Sequence, residues 1–128
     1  LGTVWMGYAV NQEIELSSTQ VSLGATGATT LFTPPGFHCV LTKAIIEATD
    51  SAGNSALSIG GNSADYNDFL PTQTLSNLDA QYDEVICMPV PNTTPLKLKS
   101  YASGTAIKAN VTTADGAAVI IRLFGILL

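Results

Sequence analysis

Charge is what this chain has least of. Charged residues occupy 12% of its 128 positions, about half the share of an ordinary soluble domain. Ten acidic residues stand against five basic ones, for a net charge of −5. The basic residues Lys43, Lys97, Lys99, Lys108 and Arg122 are scattered, and neutralising a phosphate backbone needs a basic patch, so nucleic acid is excluded as a partner. There is a single histidine, His38, and no nucleophile motif such as G-x-S-x-G surrounds it, which argues against a hydrolytic triad and against an enzyme. Apolar runs are short. None approaches the roughly 20 residues that cross a bilayer as a helix, and the most apolar stretch, residues 119–128, is interrupted by Arg122. Residues 1–8 lack a basic n-region and an apolar h-region, so no secretory signal is expected, and the sequons at Asn92 and Asn110 read as chance.

Cysteine is also scarce. Cys39 and Cys87 lie in apolar, strand-like stretches, where a reduced and buried thiol is expected rather than a disulfide framework. His38 beside Cys39 suggests a metal pair, but neighbours on a strand point to opposite faces and no CxxC or HxxxH spacing supports it. No cofactor is expected. Residues 50–54 contain Asp50 and Gly53 without the acidic pattern of an EF-hand, so a hairpin turn is expected there.

What the chain does have is β-strand pattern. Pro34-Pro35-Gly36 forms a corner that no ladder can traverse. From Phe37 to Ala48 follows a run apolar at odd positions (Phe37, Cys39, Leu41, Ile45) and at even ones (Val40, Ala44, Ile46, Ala48), which predicts a strand covered on both faces. Ile107, Ala109 and Val111 alternate with Lys108, Asn110 and Thr112, the pattern of a half-wetted strand. The closing segment, 118–128, is apolar on both faces except at Arg122, which predicts a central strand. Shorter strands are expected around 14–16, 21–23, 29–32, 56–60, 85–88 and 96–101, with residues 61–78 as one long polar connection. The count predicts an all-β fold: a jelly-roll or related Greek-key β-sandwich of about eight antiparallel strands over 13–128, preceded by an extended N-terminal arm at 1–12. Because one covered face can belong to the internal core, the second is expected to meet another subunit.

Candidate contact residues are the large side chains of the arm, Trp5, Met6 and Tyr8, and two aromatics of the long connection, Tyr66 and Phe69, whose types anchor interfaces. Packing on the chain's own sandwich is the alternative for each. The same aromatics would serve as a stacking platform if the chain were a carbohydrate-binding module or a tail-associated adhesin.

The run Thr30-Leu31-Phe32-Thr33-Pro34-Pro35-Gly36-Phe37, then Val40-Leu41-Thr42, with the closing Ala118-Val119-Ile120-Ile121-Arg122-Leu123-Phe124-Gly125, resembles small jelly-roll head decoration, or cement, proteins of tailed bacteriophages. The resemblance spans residues 28–128 and leaves the arm uncovered. It implies a structural virion protein, assembled in the host cytoplasm, that sits on the capsid surface against the major capsid protein. Such proteins commonly act as homotrimers at junctions between capsomers and strengthen the shell.

Overall fold

The computed structural model describes residues 4–5, 8–89 and 93–128, with side chains described from Tyr8 onward. No helix occurs among them. The strands are β1 (Val4–Trp5), β2 (Tyr8–Ala9), β3 (Glu13–Ser22), β4 (Gly27–Phe32), β5 (Cys39–Ala48), β6 (Ala56–Gly60), β7 (Leu70–Thr74), β8 (Glu84–Cys87), β9 (Ser100–Tyr101), β10 (Ile107–Thr113) and β11 (Ala118–Leu127). Every pairing is antiparallel.

Two sheets form a sandwich. One runs β3-β11-β5-β8, with the short β9 beside the start of β5, and the other runs β4-β10-β6-β7. From β3 to β6 the chain crosses to the other sheet at every connection, β7 stays beside β6, and β10 and β11 return to the middle of opposite sheets. These are the crossings of a jelly roll. Between the sheets Leu23, Leu41, Ile46, Leu57, Ile59, Leu78, Ile107, Ile121, Leu123 and Leu127 are fully buried.

The long strand β5 differs from expectation in an instructive way. Its buried residues are Cys39 and Leu41, then Ala44, Ile46 and Ala48. The parity changes because Phe124 of β11 faces Lys43 and Gly125 faces Leu41, leaving Thr42 as the extra residue of a bulge. The apolar odd and even positions are therefore largely one inward face interrupted by a bulge, and only Val40 and Ile45 remain as half-buried apolar residues outside. In β11 the two apolar faces are real. Val119, Ile121, Leu123 and Leu127 point inward, while Ile120, Phe124 and Ile126 form a half-buried outer row.

Two further departures concern segments with mixed signals. Within the connection expected at 61–78, β7 pairs with β6; its exposed Pro71, Thr72, Gln73 and Thr74 hid it, because an edge strand needs apolar residues on one face at most. The alternating 96–101 supplies only two strand residues, Ser100 and Tyr101, opposite Val40 and Cys39. The corner at Pro34 is clamped by the turn before β10: Gly104 N–H donates to the Pro34 carbonyl (2.9 Å) and Gly36 N–H to Ser103 Oγ (2.9 Å).

At the opposite end the turn after β5 meets the turn before β11. A Cβ on Gly116 would lie 2.5 Å from the Ala52 carbonyl oxygen, and Gly53 sits at φ 59° with the Asp115 carbonyl against it. Gly116→Ala should therefore destabilise the domain by about 1–3 kcal/mol, read as a melting temperature several degrees lower; an unchanged melting curve would mean that the turns part freely. The thiols give a second test. Cys87 lies beside Ala44 while Cys39 lies five residues away on the same strand, about 16 Å along it, beyond the reach of a disulfide. Burial pushes the Cys39 thiol up to about 12 and raises that of Cys87 as well. Thiol reagents at pH 8 should label neither cysteine until the protein unfolds, and reductant should leave the melting temperature unchanged; prompt native labelling would contradict this packing.

Candidate partner-binding surface

The loop between β6 and β7 does not hang off the sandwich. It folds back over the outer face of the sheet that holds β6 and β10, which is why all five residues of β6 are buried. Ser58 Oγ donates to the Tyr66 carbonyl (2.8 Å) and Asn110 Nδ2 to the Asp65 carbonyl (3.2 Å). Asn62 Oδ1 accepts from the N–H groups of Asn67 and Asp68. Asp68 then bolts the loop to β9: its Oδ1 accepts from the Tyr101 hydroxyl (2.7 Å) and from Gly61 N–H (2.9 Å), and its Oδ2 lies 3.3 Å from Lys99 Nζ. Burial, reinforced by the hydrogen bond to Asp68, holds the Tyr101 phenol well above its usual range.

This geometry fixes the two loop aromatics. Phe69 is 3% exposed and belongs to the core. Tyr66 stays half-buried at the surface at φ 49°, with Lys108 Nζ 5.2 Å from its ring centre. A hydrogen bond with Ser63, and then Lys108, lower its phenol from the ordinary value. Of the arm residues, Tyr8 stands edge-on to Phe32, with ring centres 5.9 Å apart. Val10 is buried and Asn11 N–H donates to the Leu127 carbonyl, so residues 8–12 lie on their own sandwich. Trp5 pairs through its backbone with Tyr8; its side chain, and all of Met6, lie outside the described residues. Of the three candidates whose side chains are described, Phe69 lies in the core, Tyr8 packs on Phe32 and Tyr66 stands at the surface, so these three do not form one surface.

A different surface is better built. On the outer face of the β3-β11-β5-β8 sheet, Arg122 reaches three glutamates from three other strands: Glu47 Oε1 at 2.9 Å, Glu84 Oε1 at 3.6 Å and Glu15 Oε1 at 3.8 Å. Lys43 lies 5.0 Å over the Phe124 ring and 4.0 Å from Glu13. Around these ions stand Ile45, Ile120, Phe124 and Ile126, all half-buried, and the exposed Ile86. Beside β9, Asp68, Phe69, Pro89, Lys97 and Lys99 line an open cleft of about 560 Å³. Among the described residues no group of three or more His, Cys, Asp or Glu is placed to hold a metal ion. Sequence reasoning expected a second covered face to meet another subunit but named no contact residue on it; apolar residues on both sides of an edge strand, as in Val85-Ile86-Cys87-Met88, were the available signal.

Comparison with known proteins adds a likeness of fold. No protein-family model matches the chain, and no curated protein matches it in sequence. Among solved structures, a chain of the "Acidic stable capsid structure of Helicobacter pylori bacteriophage KHP30" superposes with a TM-score of 0.59 at 16% identity, covering 91% of this chain and 92% of that one. The two share a fold. At this identity the likeness concerns the sandwich and not any side chain.

The Asp68 bolt predicts a structural role that can be measured. Asp68→Ala leaves the Tyr101 hydroxyl, on a residue 4% exposed, without its acceptor, at a cost of about 1–3 kcal/mol. Tyr101→Phe removes the buried hydroxyl itself, while Asp68 keeps Gly61 N–H and Lys99, and should cost less than Asp68→Ala. Equal melting temperatures for Asp68→Ala and the parent protein would rule the bolt out.

Proposed function

We propose that this chain is a structural virion protein that decorates and stabilises a bacteriophage capsid through contacts with the major capsid protein, as a homo-oligomer, with a trimer at the junctions between capsomers. The observation that carries the proposal is the shared fold, over nearly the full length of both chains, with a chain of a phage capsid. The half-buried apolar row outside β11 supports it, since a sheet face with Ile120, Phe124 and Ile126 in one line is better covered than wetted. The carbohydrate-binding alternative finds less support: Phe69 is buried and Lys108 covers one side of Tyr66, which leaves no paired stacking platform in that loop.

In this reading residues 1–7, with Trp5 and Met6, act as an arm toward a neighbouring subunit or the shell, while Tyr8 and the residues after it secure the arm to its own domain. Mass spectrometry of virions whose genome encodes the chain is the decisive test. A copy number that tracks the major capsid protein is expected; absence from the particle, or a stoichiometry matching tail proteins, would overturn the proposal. Deleting residues 1–7 should leave the β-sheet circular dichroism intact and weaken assembly seen by light scattering, and Trp5→Ala should lose about 2–4 kcal/mol of that contact. An arm deletion that unfolds the domain would assign these residues to the core instead.

A further inference from the structure

Three of the four large hydrophobic residues that stand far out in water among the described residues fall in one short stretch: Tyr82 is 74% exposed, Ile86 62% and Met88 59%. The stretch contains β8, the last strand of its sheet. The hydrogen bonds of β8 to β5 determine which of its backbone groups are free. Ala48 N–H donates to the Asp83 carbonyl, and the register continues Glu84↔Glu47, Val85↔Ile46, Ile86↔Ile45, Cys87↔Ala44. In an antiparallel ladder, hydrogen-bonded and non-bonded pairs alternate. Starting from the bonded Asp83, the groups of Val85 and Cys87 face β5, and those of Glu84 and Ile86 face the open side. Beside this edge runs a groove of about 300 Å³ between β8 and β7, with Leu70, Leu75, Val85 and Cys87 in its lining and Ile86 and Met88 at its rim.

An unguarded edge with apolar side chains is a template for strand pairing. The charges around it select the partner. Asp79, Asp83 and Glu84 flank the edge. Arg122, the cation nearest to Glu84, is already shared with Glu15 and Glu47, and Lys43 is taken up by Glu13 and Phe124. A second copy offering the same edge would bring acid toward acid, whereas a basic strand would meet complementary charge.

We propose that β8 is a β-augmentation site that receives, in trans, an extended segment of a partner protein in which apolar residues alternate with Lys or Arg. The segment's backbone pairs with Glu84 and Ile86. Its apolar residues on one side continue the groove, and its cations answer Glu84, Asp83 and Asp79. Main-chain bonds supply the affinity of such a contact and alternate side chains its specificity. The inference rests on the sheet edge alone and stands apart from the capsid proposal.

Blocked nine-residue peptides of alternating Val and Lys, of Val and Glu, and of Pro and Lys are titrated into the full chain while amide signals and hydrogen exchange are followed by NMR. The Val/Lys peptide is expected to bind and to protect the amides of Glu84 and Ile86, with the Val/Glu and Pro/Lys peptides at least about tenfold weaker. Ile86→Pro removes an N–H that faces the open side and no ladder bond to β5, so it should fold and lose binding. Ile86→Lys, at a side chain already in water, should fold and weaken binding about tenfold. Equal binding of all three peptides, undiminished binding by either variant, or protection at other strands would overturn the proposal. So would a dimer of the free chain with the Glu84 and Ile86 amides already protected, since the occupant would then be a second copy.

Discussion

The fold hangs on β11. It is flanked by β3 and β5 on either side, each paired over most of its length, and its inward residues Val119, Ile121, Leu123 and Leu127 are completely removed from water. Burying one such side chain contributes about 1.5–3 kcal/mol, so four together are comparable with the roughly 5–15 kcal/mol net stability of a whole domain. Without β11 the strands β3 and β5 are no longer joined and four fully buried side chains leave the core. The pairing is also distant in sequence: Ser22 meets Ala118 and Glu13 meets Ile126. Loop closure on that scale must precede the contacts that reward it, which places this topology among slow-folding architectures.

The same strand explains the charge economy of the surface. A ten-residue strand apolar on both faces would invite aggregation wherever its outer face is uncovered. Arg122 stands at its middle, and the glutamates that reach it come from the strands on both sides and from β8 beyond. Partly exposed ion pairs of this kind add little stability singly. Their effect is on the surface: one cation and three anions interrupt a face that Ile45, Ile120 and Phe124 would otherwise make continuous, so that whatever covers it must answer charge as well as apolar area. A chain with few charges has placed four of them here.

The sequence made the architecture legible where one physical demand dominated. The closing segment was apolar on both sides with a single charge, and it is the central strand; β10 alternated cleanly, and Ile107, Ala109 and Val111 are inside while Lys108 and Asn110 face out. It failed where two demands met in one residue. Thr42 carries no mark of a bulge, yet it changes which side of β5 is the core. Pro71 and Gln73 are turn-like residues serving an edge strand. The contact residues were least legible, since aromatic type does not distinguish Phe69, which fills the sandwich end, from Tyr66, which the fold holds at the surface by three residues' difference in a loop.

The two open ends of the sandwich are not alike, and the difference bears on how such a protein can assemble. The edge formed by β3 and β4 is polar along its exposed positions, with Glu13, Glu15, Ser18, Gln20 and Ser22 on β3 and Thr29 and Thr30 on β4, the composition that keeps edge strands from pairing. At the other edge, β7 is guarded by Pro71, while β8 carries Ile86 and runs on to Met88 before Pro89 ends it. A jelly roll with two equally sticky edges would polymerise without limit, since each added copy would offer a fresh edge. With one edge closed by polar side chains and the other left apolar and flanked by acid, pairing at β8 adds one strand of a different, basic chain and does not propagate from copy to copy.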